Sequence, residues 1–245
     1  MSLLTRLFGP SPAENPPYTT DLHSHLLPGI DDGAADLNES VAMIRRFGEL
    51  GFTKLITTPH IMPGYYDNDR EIILGKRDEV REALAAAGIA VQLEAAAEYY
   101  LDEAFLHRLD AGEPLLTFGG NHVLIETSFM VSPTRFEEIV FQLKSAGYQP
   151  VLAHPERYLY TGGDFGFAER LIASGLLMQV NLLSLRGYYS PAARRYARGL
   201  IDRGWVHMLG SDCHKMRHLE ELRKVLKGDR YFNQALALPL LNFAL

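Results

Sequence analysis

The sequence predicts an α/β fold: a parallel sheet closed, or nearly closed, into a single-domain TIM-like barrel. Seven short apolar runs alternate with stretches of helical period, the pattern of parallel strands joined by helical crossovers. Glycines follow the helical stretches at Gly51, Gly88, Gly147, Gly175 and Gly204, where a left-handed cap or tight turn returns the chain to a strand. At 245 residues the chain can bury a substantial core, and an α/β barrel of this length forms one domain. The competing arrangement is an open doubly wound sheet.

In chain order, residues 1–17 are a proline-containing lead and residues 18–245 the domain. The first strand is read at Tyr18 to Leu26, followed by a glycine-flanked loop with Asp31 and Asp32 and a helix beginning near Leu37. A second strand at Lys54 to Pro59 leads to a helix near Asp69, and a third at Val91 to Tyr99 leads to one near Asp102. The fourth and fifth strands, His122 to Thr127 and Pro150 to His154, precede helices near Pro133 and Phe165. The sixth, Met178 to Leu183, precedes a helix at Pro191, and the seventh, Val206 to Ser211, precedes one from about Arg217. The segment from Phe232 to Leu241 is a terminal helix broken near Pro239.

Composition narrows the function classes. A formal net charge of −6 gives no general attraction to nucleic acid. One cysteine excludes an intrachain disulfide framework and thiolate-rich metal sites, and it fits a reducing cytoplasm. No apolar run approaches the roughly 20 residues that span a bilayer. The opening Met1-Ser2-Leu3-Leu4-Thr5-Arg6-Leu7-Phe8 is too short for a signal peptide's apolar region. It reads as a frayed terminus with leucines packed on the domain, the alternative being weak membrane-surface or partner contact.

Reactive groups gather at the C-terminal ends of strands in parallel barrels. Here strand one ends in His23 and His25, strand two in His60, strand three in Glu98, strand four in Glu126, strand five in His154-Pro155-Glu156-Arg157, and strand seven in Ser211-Asp212-Cys213-His214. The pairs His23/His25 and Asp212/His214 each have the i, i+2 spacing that sends both side chains to one face of a strand. If the first and last strands lie side by side, the two pairs become neighbours. So many imidazoles and carboxylates at one mouth leave unpaired charge unless divalent cations stabilise them, which predicts a multinuclear metal site. A hydrogen-bonded polar network is the competing reading.

Asp21-x-His23-x-His25, Thr58-Pro59-His60, the strand-end glutamates, His154-Pro155-Glu156-Arg157 and Ser211-Asp212-x-His214 together resemble the PHP (polymerase and histidinol phosphatase) superfamily of metal-dependent phosphoesterases. The run Asp21 to Gly33 is similar, more narrowly, to the bacterial capsule-type protein-tyrosine phosphatases of that superfamily. Histidinol-phosphate phosphatases more often carry histidine where Asp32 and Glu126 stand, so these two carboxylates favour the tyrosine phosphatase branch. The resemblance implies a distorted (β/α)7 barrel holding three metal ions. The first would be held by His23, His25, Glu98 and Asp212; the second by Glu98, Glu126 and His154; the third by Asp32, His60 and His214. Imidazole and carboxylate ligands without thiolate suit Mn first, with Fe or Zn as alternatives.

The chemistry expected is direct attack of metal hydroxide on phosphorus, with Asp212 and His214 in the reacting centre and Arg157 as the phosphate clamp. Arg186 and Arg217 are weaker clamp candidates. Cys213 lacks the Cys-x5-Arg spacing of cysteine-dependent phosphatases, since the sixth residue after it is Leu219; it reads as structural. The doublets Tyr65-Tyr66, Tyr99-Tyr100 and Tyr188-Tyr189 are candidates to sandwich a phenyl phosphate, against a packing role. Tyr160 with Gly162 and Gly163 suggests a mobile loop beside the site, and His107, His122, His207 and His218 read as surface or core residues. The resemblance further implies a phosphotyrosine protein as partner, the tyrosine-rich tail of a bacterial tyrosine kinase controlling capsule or exopolysaccharide export. A small-molecule phosphomonoesterase, such as a histidinol-phosphate phosphatase, and a non-catalytic metal-binding module are the alternatives.

Overall fold

A computed structural model describes residues 18–245; the lead segment expected at residues 1–17, with its leucines, lies outside the described residues. The strands are β1 (Thr20–Leu22), β2 (Lys54–Thr57), β3 (His60–Ile61), β4 (Gln92–Ala95), β5 (Glu98–Tyr100), β6 (His122–Glu126), β7 (Gln149–Ala153), β8 (Leu177–Asn181) and β9 (Met208–Gly210). All pair in parallel. Two expected strands are each interrupted: Lys54 to Pro59 is followed across a break by β3, and Val91 to Tyr99 divides into β4 and β5. Pro59, at the first break, has no N–H to give a neighbour. Pairing nevertheless carries across, since the Ala96 N–H donates to Thr57 O at 2.9 Å and the Glu98 N–H to Pro59 O at 3.0 Å. The two sheets, ordered β1-β2-β4 and β3-β5-β6-β7-β8-β9, therefore continue one another in chain order.

No ladder joins β9 to β1, but their ends meet. Ser24 and Cys213 form a parallel bridge, the His25 N–H donates to Cys213 O at 2.9 Å, and the Asp212 N–H donates to His23 O at 2.8 Å. At the opposite end Asn242 donates to Leu209 O at 2.9 Å and to Thr20 O at 3.3 Å, and accepts from the Leu209 N–H at 2.9 Å. Gly210 lets this seam close: a Cβ there would stand 2.1 Å from Leu22 O and 2.8 Å from the His23 Cβ.

Leu22, Ile56, Leu124, Val151, Ala153 and Met208, from the five strands β1, β2, β6, β7 and β9, pack into one small buried cluster. It is separate from the larger core, where residues such as Leu55, Ile125 and Leu152 meet Phe47, Val80 and Leu143 of the helices. One face of the sheet packed inside and the other packed on helices is the layering of a TIM-like α/β fold.

The helices α1 (Leu37–Glu49), α2 (Arg70–Ala86), α3 (Glu103–Asp110), α4 (Phe136–Ser145), α5 (Phe165–Ala173), α6 (Pro191–Asp202) and α7 (Met216–Leu226) start within three residues of where the periodicity put them. Side chains of Asp36, Asp69, Asp102, Asp164 and Ser190 accept from first-turn N–H groups, satisfying donors that the helix leaves unpaired. A further helix, α8 (Arg230–Leu236), ends before Pro239, as expected. No helix of the described residues is long and apolar enough to cross a membrane.

Candidate metal centre

The chain ends its strands in left-handed backbone at three of the expected ligands: φ is 98° at His23, 33° at His154 and 50° at Asp212. Such conformations cost non-glycine residues about 1–3 kcal/mol each and persist where the surroundings over-determine them. Here they turn side chains inward over the strand ends, and all nine expected ligand residues converge.

At the centre, His23 Nε2 lies 3.2 Å from Glu98 Oε2 and 3.5 Å from Asp212 Oδ1. His25 Nε2 lies 3.4 Å from His23 Nε2, 3.5 Å from Glu98 Oε2 and 3.6 Å from Asp212 Oδ1. The second Glu98 oxygen faces elsewhere, 3.0 Å from His154 Nε2, which is itself 3.6 Å from Glu126 Oε1. On the outer side Asp32 Oδ1 stands 3.3 Å from His214 Nε2 and 3.6 Å from His60 Nε2. His60 belongs to two neighbourhoods, because its Nδ1 is 3.2 Å from Glu98 Oε2 and 3.6 Å from Glu126 Oε2. The stacked His25 and His214 rings, centroids 3.9 Å apart, also join the inner and outer groups. The donors thus form a continuous chain of clusters rather than three separate nests.

The donor chemistry fits divalent cations. Three imidazoles have Nδ1 engaged by a fixed acceptor: His23 by Gln179 Oε1 at 2.8 Å, His25 by Asp31 Oδ2 at 2.7 Å, and His214 by Asp212 O at 3.0 Å. A neutral ring held this way presents the Nε2 lone pair, and all three Nε2 atoms point into the cluster. The buried His60 Nδ1 has no hydrogen-bond partner among the described residues, although carboxylates stand beside it.

Burial alone would lower His23 and His25, but Glu98 and Asp212 hold the first, and Asp31 and Glu98 the second, above the ordinary imidazole range, so without a cation these rings favour a proton that metal binding would displace. Burial, with Glu98 and Asp212 close by, pushes the Glu126 carboxyl well above the usual range. Burial followed by Arg157 drives His154 down to about 4, so its ring stays neutral. Burial alone would raise Asp212, but His23, His214 and Arg157 hold it well below the usual carboxylate range. A cation would relieve the Glu126–Glu98 repulsion and use the His154 lone pair.

A shell of residues orients this set, and within it sequence reading passed over Gln179 and Asn181. Asp212 Oδ2, turned away from the imidazoles, accepts from Arg157 Nη1 at 2.6 Å, Asn181 Nδ2 at 2.6 Å and Tyr189 OH at 3.2 Å. Gln179 links the sides: its Oε1 accepts from His23 and its Nε2 donates to Asn181 Oδ1 at 3.0 Å. Gln179 and Asn181 are an i, i+2 polar pair inside the apolar run Met178 to Leu183, the same signal that marked His23/His25, and it went unused on this strand. Asp31, noticed only as half of a doublet, orients His25. Asp21 accepts from the Ser211 N–H and Oγ–H, both at 2.8 Å, and so ties the seam beneath the centre.

Above the donors lies a cleft of about 330 Å³, lined by Asp32, Glu126, Arg157, Tyr189, His214 and Arg217 among others. The Arg157 guanidinium is held between the Phe129 and Tyr189 rings, 4.6 and 4.3 Å from their centroids. Of the weaker arginines, Arg217 reaches the cleft, whereas half-exposed Arg186 faces Asp229 at 3.8 Å. Lys215 and His218 line it too; His218, read as surface or core, accepts from the His214 N–H at 3.1 Å.

Among the tyrosine doublets, Tyr188 and Tyr189 line the cleft and Tyr66 stacks on His60 at 5.3 Å. Tyr99 is a packing residue whose hydroxyl accepts from the Leu116 N–H. Cys213 is buried in the main core, its thiol pushed up by burial, in agreement with a structural role.

Comparison with known proteins follows this geometry. A model of the capsular polysaccharide synthesis family CpsB/CapC matches residues 19–228. Tyrosine-protein phosphatase YwqE of Bacillus subtilis is 28% identical over 85% of this chain and 84% of its own length. A putative tyrosine-protein phosphatase CapC of Staphylococcus aureus is 26% identical over 86% of this chain and 82% of its own. The chain also superposes, at TM-score 0.78 and 27% identity, on a chain from the crystal structures of YwqE from Bacillus subtilis and CpsB from Streptococcus pneumoniae, metal-dependent tyrosine phosphatases; the match covers 87% of this chain and 90% of that one.

Proposed function

This chain belongs to the CpsB/CapC capsular polysaccharide synthesis family, and from that premise we propose that it is a metal-dependent protein-tyrosine phosphatase. The observation that carries the reading is the convergence of His23 Nε2, His25 Nε2, Glu98 Oε2 and Asp212 Oδ1, at separations of 3.2–3.6 Å, beneath a cleft holding a guanidinium.

Three divalent ions are proposed, Mn first and Fe or Zn as alternatives. His23, His25, Glu98 and Asp212 would hold one; Glu98, Glu126 and His154 a second; Asp32, His60 and His214 a third. The intermediate position of His60 supports sharing between the last two. When bound, such ions lower the pKa of water toward neutrality and offset the charge of the phosphoryl oxygens. The chain's own groups do the rest. Arg157 keeps Nη1 on Asp212, and its remaining N–H donors, without protein partners among the described residues, grip the phosphate in the cleft. Phe129, Tyr188 and Tyr189 supply aromatic walls for a phenyl ring. Cys213, buried and held as thiol, takes no nucleophilic part, so no phosphoenzyme forms on it.

As substrate we propose a phosphotyrosine protein, the tail of a bacterial tyrosine kinase in capsule or exopolysaccharide synthesis, with the enzyme acting in the cytoplasm. The test compares hydrolysis of a phosphotyrosine peptide, a phosphoserine peptide and histidinol phosphate by metal-free and Mn-loaded protein. Metal-dependent activity with the highest kcat/KM on phosphotyrosine is expected. Preference for histidinol phosphate overturns the substrate class, and no metal-dependent hydrolysis between pH 6 and 9 overturns the enzyme reading.

A further inference from the structure

His218 stands outside the expected ligand set, yet it lines the cleft above the donors while only 8% exposed, so what little surface its ring shows borders the cleft. It lies in the first turn of α7, with its backbone N–H donating to Lys215 O at 2.8 Å. Its ring is set edge-on to those of Tyr188 and His214, with centroids 5.2 and 5.9 Å away. The backbone fixes its tautomer. The His214 N–H donates to His218 Nδ1 at 3.1 Å, and a backbone amide is always a donor, so Nδ1 carries the lone pair and Nε2 the proton. The Asp212 carbonyl close to the ring accepts from His214 Nδ1 at 3.0 Å. Nε2 has no hydrogen-bond partner among the described residues and is not sealed from solvent. The cleft wall therefore holds a neutral N–H donor of fixed direction.

Resting on the phosphatase reading above, we propose that His218 is a further catalytic residue, whose Nε2–H holds the phenol oxygen as it leaves phosphorus. In-line displacement puts the attacking and leaving oxygens on opposite sides of phosphorus. Attack from the side of the metal ligands therefore turns the leaving oxygen toward the part of the cleft that the ligands do not form. Donors there are mostly spent or unfixed. Arg157 is given to Asp212 and the phosphoryl oxygens, and Tyr189 OH to Asp212. Tyr188, Lys215 and Arg217 are exposed side chains whose polar heads no hydrogen bond among the described residues holds. His218 joins burial to a donor of fixed direction, the preorganisation that makes a hydrogen bond effective at a developing charge. As the attacking hydroxide bonds to phosphorus, the bond to the phenol oxygen breaks and its electron pair stays on that oxygen. The Nε2–H hydrogen-bonds to the developing phenolate without giving up its proton, and water supplies the proton after release.

The test uses the Mn-loaded full chain with a phosphotyrosine peptide, phenyl phosphate and p-nitrophenyl phosphate, the last of which releases the most acidic phenol. His218→Asn keeps an acceptor for the His214 N–H in its Oδ1 and removes the Nε2 donor. It should lower kcat about 10- to 100-fold on phosphotyrosine and phenyl phosphate, the worth of one hydrogen bond to a charged oxygen, and about threefold at most on p-nitrophenyl phosphate, whose leaving oxygen disperses its charge. KM, bound metal and inhibition by inorganic phosphate, which has no phenol oxygen, should stay near their wild-type values. His218→Gln, which carries an amide N–H to about the place of Nε2, should recover part of the loss on phenyl phosphate. His218→Phe, which fills the space without either nitrogen, should show the same contrast between substrates and serves if His218→Asn does not fold. Equal losses on all three substrates or weaker inhibition by phosphate overturns the proposal, since the donor then meets the phosphoryl oxygens. Loss of metal from His218→Asn overturns it too, because the residue then acts through His214. If the wild type shows no metal-dependent hydrolysis of phosphotyrosine, the phosphatase reading falls instead, so the two failures are distinct.

Discussion

Replacing Asn181 by leucine isolates the contribution of β8, a strand that supplies no expected ligand. The change keeps the size of a fully buried side chain but removes the 2.6 Å donor to Asp212 Oδ2 and the 3.0 Å acceptor of Gln179 Nε2. A hydrogen bond to a charged acceptor contributes about 1.5–3 kcal/mol, and stranding a buried amide costs about 1–3 kcal/mol, so the metal-free fold should lose about 2.5–6 kcal/mol. Arg157 and Tyr189 still hold the carboxylate, so Asp212 is loosened rather than released. Loss of one outer partner of a metal ligand typically weakens metal affinity 10- to 100-fold. Titration of metal-free protein with Mn, followed by calorimetry and by the metal dependence of kcat, should therefore show weaker binding, with most of kcat recovered in excess metal. Tyr189→Phe, which removes the longer 3.2 Å bond to Asp212 and the 3.3 Å bond that the hydroxyl accepts from Asn181 Nδ2, should cost about fivefold in affinity. Wild-type Mn affinity in Asn181→Leu would refute the orienting role assigned to the Gln179–Asn181 pair.

Asp212→Ala should lower both metal content and turnover, and full metal occupancy with normal activity would remove Asp212 from the centre. Cys213→Ser should keep most phosphatase activity; near-total loss with metal still bound contradicts the assignment of its thiol to the core. Burial pushes Asp21 up to about 7, only partly opposed by its hydrogen bonds from Ser211, above its ordinary value near 3.8. A carboxyl raised on folding contributes stability below its unfolded pKa and loses it as pH rises through the folded value. Relative to Asp21→Asn, the wild-type Tm should therefore fall between about pH 4 and 7, by no more than about 4 kcal/mol in stability, and a flat difference across that range counts against it. Gly210→Ala should destabilise the fold strongly, since the added methyl would meet Leu22 O at 2.1 Å; an unchanged Tm would mean that the seam is looser than described.

The sequence by itself determined the alternation of strands and helices, the placement of histidines and carboxylates at strand ends, and the chemistry those groups share. These are local properties: helical and strand periods, caps and i, i+2 pairs are set by near neighbours in the chain. The breaks at Pro59 and at Ala96-Ala97 were harder to read, because pairing continues across them and the apolar pattern hardly changes. Tertiary structure alone decided which atoms meet. His23 finds Gln179 across 156 positions of sequence, and Asp21 finds Ser211 across 190. Such contacts depend on how the first strand end meets the last, on left-handed backbone at His23, His154 and Asp212, and on a glycine that lets two strands approach. Those are properties of packing, and no local pattern encodes the division of the Asp212 carboxylate, one oxygen toward the imidazoles and the other toward Asn181, Tyr189 and Arg157.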